Sequence, residues 1–433
     1  MRALLLGSGG RESALAWALA RSSVVDDVVA APGNPGMAEV VETVAVPQWD
    51  AAAVRRLAHR FDAGLVVVGP EAPLVAGVGD ALREDGRLVF GPDARAAAVE
   101  GSKSYAKSLM GSTGIPTASA RTFDEVGSAI AYLDSLGPPY VIKADGLAAG
   151  KGVVVTTDRR EAIAALEERL VAGAFGAAGA RVVIEEYLDG EEVSLIAFCD
   201  GRTALVCEPA QDFKRALDGD RGPNTGGMGS YSPVPACPPE VVDRIRGEII
   251  EPMVRATAAA GAPFVGALYA GLALTEAGPK VVEFNARFGD PETQALLPRL
   301  RSDLGELCLA AATGDLRGCR LEWSAESCVT VVLCSGGYPG EHGTGATITG
   351  LDAAGAQPGA AVFHAGTART DRGIVTAGGR VLAVSALGPT IGRARARAYD
   401  AAAVIEFEGK HVRSDIALVA AERSEGWIRS SAS

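Results

Sequence analysis

Apolar positions fall into short continuous runs separated by glycine turns and by stretches in which they recur every three or four residues. Residues 2–7 (RALLLG) read as a strand, SGGR as a turn, and ESALAWALARS as an amphipathic helix. The strand-like DVVAA, the turn PGNPG, a helix around DAAAVRRLAHR, the strand LVVVG and the turn PEAPL follow. This rhythm predicts an N-terminal α/β unit with a parallel sheet and ligand loops at the carboxyl ends of its strands. Further on, a helix through SYAKSLM, the helical segment TFDEVGSAIAYLDSLG and the helix REAIAALEERLVAG enclose the apolar runs YVI and GVVV. They predict a small lobe over about residues 120–190. From 193 to 285, the runs VSLIAFCD, TALVCEPA, VGALYAGLAL and KVVEFNARFGD read as strands, and PPEVVDRIRGEIIEPMVRATAAA as a helix with proline at its start. After about residue 325, hairpin-like spacing and the helix PTIGRARARAYDAAAVI predict an α+β unit.

Composition narrows the class. With 433 residues, 48% of them hydrophobic, the chain can form two to four domains with large cores. A formal charge of −12 argues against a general nucleic-acid binder, yet permits a local basic pocket for an anionic metabolite. The seven cysteines form no CxxC pair, and the four histidines are far apart, which disfavours a disulfide scaffold and a histidine-built zinc site. No apolar run reaches the length of a membrane span, and MRALLLGSGG enters a strand and a glycine turn, so a cytoplasmic protein is expected.

The chemistry centres on residues 143–155, KADGLAAGKGVVV. A strand, a glycine-rich turn and a second strand let Gly146, Gly150 and Gly152 bring backbone amides close to an anion, flanked by Lys143 and Lys151. It is not a Walker A loop, because GLAAGK leads into Gly152 and a valine run rather than into a helix. The loop by itself admits both a phosphate cover and an ordinary tight hairpin. GSGGRE carries Glu12 where a dinucleotide fingerprint needs its third glycine, but a phosphate at that helix start, on the glycine amides and Arg11, fits. In EFNARFGDPETQ, Glu283 and Asn285 lie two apart and share one face of a strand, as hard-metal ligands would, with Arg287 on the same alternation. Lys103 and Lys107 share a helix face, Glu185, Glu186, Glu191 and Glu192 cluster about a linker, and residues 211–233 form a long polar loop, either ordered or a mobile lid.

The motifs GGRE, VGPEAPL, EGSK, VIKADGLAAGKGV, EEYLDGEE, GPNTGGMG, EFNARFGDPETQ, GGYPG, FHAGT and GGRVLAV run in one order from residue 9 to 384. In order and spacing the chain resembles the phosphoribosylamine–glycine ligase family of ATP-grasp enzymes. The resemblance implies an N-terminal parallel-sheet α/β substrate domain (1–100), an ATP-grasp core of two lobes (101–325) and a C-terminal α+β domain (326–433). It implies ATP-dependent ligation of glycine to 5-phosphoribosylamine, with Mg²⁺ or Mn²⁺. Residue by residue, it implies nucleotide contacts from Lys107, Lys143, Asp145, Gly146, Ala149, Gly150, Lys151, Gly152, Glu185, Leu188 and Glu192, and metal ligation by Glu283 and Asn285. Gly9, Gly10, Arg11, Asn34 and Glu71 would line the phosphoribosylamine side, while Asp212, Lys214, Arg287 and Asp290 would position glycine and its acyl phosphate. A monomer or dimer, and a transient contact with an upstream amidotransferase, are compatible with it. Two positions depart from the family pattern: Ser13 and Phe213 stand where histidines are usual. Another ATP-grasp carboxylate–amine ligase, a biotin-dependent carboxylase component and a non-enzymatic nucleotide sensor are the competing readings.

Overall fold

The computed structural model describes residues 1–148, 152–172 and 179–423. Its first sheet is all-parallel, in the order Glu42–Thr43, Asp27–Pro32, Arg2–Gly7, Leu65–Val68, Leu88–Phe90. Leu4 to Leu6 and Leu65 to Val68 are buried throughout, as expected of strands covered on both faces. The chain leaves the central strand Arg2–Gly7 toward one edge and returns beside it at Leu65–Val68. The turns that follow these two strands therefore meet at a topological switch point, where such sheets bind ligands. PEAPL, expected as a turn, is instead the helix Glu71–Val75. Pro73 falls in its first turn, where a missing N–H breaks no hydrogen bond.

The small lobe is an antiparallel sheet, in the order Ala120–Phe123, Val182–Glu185, Tyr140–Ala144, Val153–Thr156, backed by the helices Val126–Leu136 and Arg159–Leu170. Thr122 and Phe123 belong to a strand rather than to the helix expected over TFDEVGSAIAYLDSLG, because they pair with Val183 and Val182. Ala129, Leu133, Ile142, Leu166 and Ile184 give this lobe a core separate from the main one. The larger lobe carries Ala204–Val206, Glu191–Asp200, Val265–Thr275 and Gly278–Asn285, also antiparallel. The register slips between Gly271 and Leu272, leaving Val282 as a bulge residue without a partner of its own.

The polar loop 211–233 is ordered. It forms the short strands Gln211–Asp212, Arg215–Leu217, Arg221–Asn224 and Gly229–Ser232, and the last of these pairs with Ser327–Cys334. The C-terminal sheet therefore runs Gln211–Asp212, Gly229–Ser232, Ser327–Cys334, Arg380–Gly388, Ala360–His364, and includes segments contributed by the middle of the chain. Phe90, Phe198 and Phe288 pack together with ring centroids 5.5–5.8 Å apart, joining the first sheet, the larger lobe and the segment just beyond Gly278–Asn285. The seven cysteines are all free, and no helix among the described residues is long and apolar enough to cross a membrane.

Candidate active site

A cleft of about 1220 Å³ opens between the lobes and reaches the first sheet and the C-terminal unit. On one wall, three elements bring together residues distant in sequence: Lys107 on the helix Lys103–Thr113, Lys143 on Tyr140–Ala144, and Glu185 at the end of Val182–Glu185. Glu185 Oε2 lies 3.0 Å from both Lys107 Nζ and Lys143 Nζ. Lys143 also donates to the bulged Val282 carbonyl at 2.9 Å, and Lys107 to Thr117 Oγ1 and the Ala118 carbonyl at 2.9 and 3.1 Å. Burial pushes the Lys107 amine below its ordinary value, although Glu185 pulls the other way. Glu185 is 3% exposed and its second oxygen, Oε1, is buried without a hydrogen-bond partner among the described residues. An orphaned buried acceptor calls for a donor, and an exocyclic amino group of a base would supply one. Gly146, Gly152 and Leu188 line the same wall. Ala149, Gly150 and Lys151 lie outside the described residues.

Asp145, expected among the nucleotide contacts, points elsewhere. Its carboxylate accepts from Ser104 N, Ser104 Oγ and Ser102 Oγ at 2.6–3.0 Å and pairs with Arg181 at 2.8 Å, so it ties the glycine-rich loop to the start of the helix Lys103–Thr113. The same junction sets Lys103 Nζ 3.1 Å from the Gly146 carbonyl, facing the cleft. Its four-residue offset from Lys107 was the sequence signal for that placement.

Across the cleft, Glu283 and Asn285 do share one strand face, with Asn285 Nδ2 3.4 Å from Glu283 Oε1. Burial pushes the Glu283 carboxyl up, but Lys214, Lys143, Lys103 and Arg287 outweigh it and hold the group below its ordinary value. Among the described residues no three His, Cys, Asp or Glu side chains form a metal cage. A carboxylate and an amide oxygen on one strand suit a hard divalent ion that takes its remaining ligands from phosphate oxygens and water. Glu192 is 2.5 Å from Lys214 Nζ. Burial, opposed by Lys214 and reinforced by Glu292, Glu192 and Glu283, raises Asp212 to about 7. Burial would lower Lys214, but Asp212 and Glu192 hold it well above its ordinary value.

At the switch-point end, Arg287 pairs with Glu71 at 3.2 Å and with Glu100 at 2.9 Å. Glu100 also accepts from the Ala286 amide at 2.7 Å. Asp290 pairs with Arg380 of the C-terminal unit at 2.9 Å. Burial raises Asp290, yet Arg380, Arg11 and Gln294 hold it below its ordinary value. Arg11 is engaged by Glu12 at 2.5 Å and by the Phe288 carbonyl at 3.1 Å, while the Gly9 amide donates to Glu12 Oε2 at 2.8 Å. A side chain on Gly10 would collide with Gln294, which itself donates to Asp290. Asn34 is a structural bridge: its Nδ2 donates to the Ser8 carbonyl, Ser13 Oγ and the His364 carbonyl, and its Oδ1 accepts from the Gly36 and Met37 amides. Ser13 Oγ donates to that same His364 carbonyl at 2.6 Å, joining the first domain to the C-terminal unit. Phe213 packs near the Tyr231 ring, with the Arg413 guanidinium over its face. Glu100, Tyr269, Glu292 and Arg380 were absent from the expected site; Glu100 opens EGSK, Glu292 lies in EFNARFGDPETQ and Arg380 in GGRVLAV, but only the fold brings them, with Tyr269, to the cleft.

Three family models match the chain in order: the phosphoribosylglycinamide synthetase N domain over residues 1–100, the ATP-grasp (A) domain over 101–293 and the C domain over 328–419. The chain belongs to the phosphoribosylglycinamide synthetase family. Relatives named phosphoribosylamine–glycine ligase include one from Rhizobium meliloti, 52% identical over 96% of this chain and 98% of that protein. Another, from Streptomyces coelicolor, is 52% identical over 97% of this chain and 100% of that protein. The crystal structure of phosphoribosylamine–glycine ligase from Thermotoga maritima superposes with a TM-score of 0.83 at 34% identity, covering 96% of this chain and all of that one. The biotin carboxylase domain of Hydrogenobacter thermophilus 2-oxoglutarate carboxylase, solved with MgADP and bicarbonate, superposes at 0.72 over 95% of this chain and 91% of that one. At 17% identity it shares the fold with this synthetase-family chain and supports nothing further about its chemistry.

Proposed function

We propose that the chain joins glycine to 5-phospho-D-ribosylamine, with ATP converted to ADP and phosphate, giving N1-(5-phospho-D-ribosyl)glycinamide, a step of de novo purine biosynthesis. The observation that carries this reading is the pairing, across one cleft, of the Glu185 carboxylate between Lys107 and Lys143 with the Glu283–Asn285 face. One wall suits a purine nucleotide and the other the metal that accompanies its phosphates.

Bound ATP supplies the phosphoryl group that turns the glycine carboxylate into glycyl phosphate, and Mg²⁺ or Mn²⁺ neutralises charge during that transfer. The residues do the rest by position and charge. Glu185 Oε1 accepts from the adenine amino group, and Leu188 presents its backbone beside it. Glu192 faces the ribose. Lys107, Lys143 and Lys103 bring positive charge toward the phosphates, and Glu283 with Asn285 would hold the divalent ion. Arg287, locked between Glu71 and Glu100, presents a fixed cation beside the glycine carboxylate. Arg11 and Asp290 line the end of the cleft assigned to the phosphoribosylamine, with Gly9 and Gly10 beside Asp290. Asn34 acts there by holding the loop. Neither Ser13 nor Phe213 supplies a base, since the first is spent on the His364 carbonyl and the second packs as an aromatic. An imidazole is not required, because an uncharged amine attacks an acyl phosphate directly.

The test is ADP release by the purified full chain with freshly made phosphoribosylamine, comparing glycine, alanine, serine and bicarbonate. Glycine- and amine-dependent release is expected. Bicarbonate-dependent release without the amine would instead favour a carboxylase.

A further inference from the structure

We propose that Glu292 binds the ammonium group of the amino-acid substrate, and that Ser194 and Tyr269 position its carboxylate for this. The inference rests on the functional reading above. Glu292 is 3% exposed, yet its side chain lines the cleft. Its Oε1 accepts from Ser194 Oγ at 3.0 Å, and Ser194 Oγ lies 2.7 Å from the Tyr269 hydroxyl. An ionised carboxylate only accepts and a serine hydroxyl has one proton, so the chain has one direction: Tyr269 donates to Ser194, and Ser194 donates to Glu292. Ser194 and Tyr269 sit on the neighbouring strands Glu191–Asp200 and Val265–Thr275, so a rigid sheet fixes the carboxylate from behind.

The other oxygen of Glu292 has no hydrogen-bond partner among the described residues. Among the described residues Glu292 takes part in no ion pair, and the adjacent cations pair with other carboxylates of the protein: Lys214 with Glu192, Arg287 with Glu71 and Glu100, Arg380 with Asp290. A buried carboxylate with one oxygen unpaired toward a cleft needs a cation from the ligand. Two amino groups enter this reaction. The attacking amine must be uncharged, so a carboxylate that favours its protonated form would slow the step. The glycine ammonium is a bystander that should keep its proton, and a fixed carboxylate does that. Arg287 and Glu292 then present opposite charges to the two ends of a zwitterion, which an amino acid satisfies and a simple carboxylic acid does not.

The test is steady-state ADP release by full-length Glu292→Gln at saturating ATP, Mg²⁺ and phosphoribosylamine. The KM for glycine is expected to rise ~10- to 100-fold, with the KM for ATP and the Mg²⁺ half-saturation within ~3-fold of wild type. Glycolate, which has a hydroxyl in place of the ammonium, should compete against glycine relatively better in the variant. Ser194→Ala and Tyr269→Phe should raise the glycine KM by ~3- to 10-fold with kcat nearly unchanged, a split that general loosening of the fold would not give. They also carry the test if Glu292→Gln does not fold. An unmoved glycine KM in an active variant, or a shift confined to the Mg²⁺ requirement, would overturn the proposal alone. A wild-type chain without glycine-dependent turnover would overturn the functional reading and this inference with it.

Discussion

Replacing Arg287 with methionine keeps much of the side-chain volume and removes the charge held between Glu71 and Glu100. The consequence can be worked from the two carboxylates left behind. Glu100 is 8% exposed and burial already raises its carboxyl above the ordinary value, even with Arg287 2.9 Å away. Glu71 behaves oppositely: burial pushes it up, but Arg287 and Arg11 outweigh that and hold it low. Removing one partner of a buried ion pair costs about 3–5 kcal/mol, and the partial exposure of Glu71 places this case near the lower end. The penalty for Glu100 has a ceiling, because the group can take a proton instead of staying charged. That ceiling is about 1.4 kcal/mol for each pH unit above the normal carboxyl pKa, or about 5 kcal/mol at pH 8 and about 1.6 kcal/mol at pH 5.5. The sign follows: a carboxyl with a raised folded-state pKa contributes stability at low pH that is lost as pH rises through that pKa. Urea unfolding of Arg287→Met should therefore show a loss of about 3 kcal/mol at pH 8 that shrinks below about 2 kcal/mol at pH 5.5. Equal losses at the two pH values would refute the electrostatic account and leave only packing.

Other outcomes follow from the same site. Glu283→Ala should lower turnover at least ~10²-fold at ordinary Mg²⁺ while leaving the unfolding midpoint close to wild type, and unchanged turnover at saturating Mg²⁺ would contradict the ligand role. Glu185→Gln removes the charge shared by Lys107 and Lys143 and should raise the KM for ATP ~10-fold, with a matching loss of the ATP-induced rise in melting temperature; an unaltered thermal shift would remove Glu185 from the nucleotide site. Burial, helped by Arg369, lowers His364 from 6.5 to about 4. Its contribution to stability should thus be complete above pH 6.5 and decline by up to about 3 kcal/mol as pH falls to 4, since the unfolded chain takes up the proton first. His364→Leu should flatten that part of the acid-stability curve, and a curve parallel to wild type would show that other groups cause the decline.

What the sequence revealed and what it hid divide along one physical line. Features set by local periodicity were readable: the buried run Leu4 to Leu6, the hairpin on either side of the glycine-rich loop, and Glu283 with Asn285 two residues apart on one strand face. Features set by where a side chain's hydrogen-bonding capacity ends up were not. Asp145 looks like part of a phosphate loop, but its two oxygens are taken by two serines and an arginine from outside that loop. Asn34 sits at a strand end where ligands bind, yet both its donor and its acceptor groups are used within the protein, partly by a carbonyl 330 residues away. Gly229–Ser232 reads as polar loop because nothing in GSYS is strongly apolar, and only the unpaired edge of Ser327–Cys334 turns it into a buried strand. Arg380 falls in the GGRVLAV run, but that spacing does not say where it points; its guanidinium holds both the Asp290 side chain and the Asp290 carbonyl. The C-terminal unit is thereby bonded directly to the cleft. Arg380→Met should accordingly disturb Asp290 before it disturbs the nucleotide wall, raising the KM for phosphoribosylamine more than that for ATP, and the opposite ranking would refute this coupling.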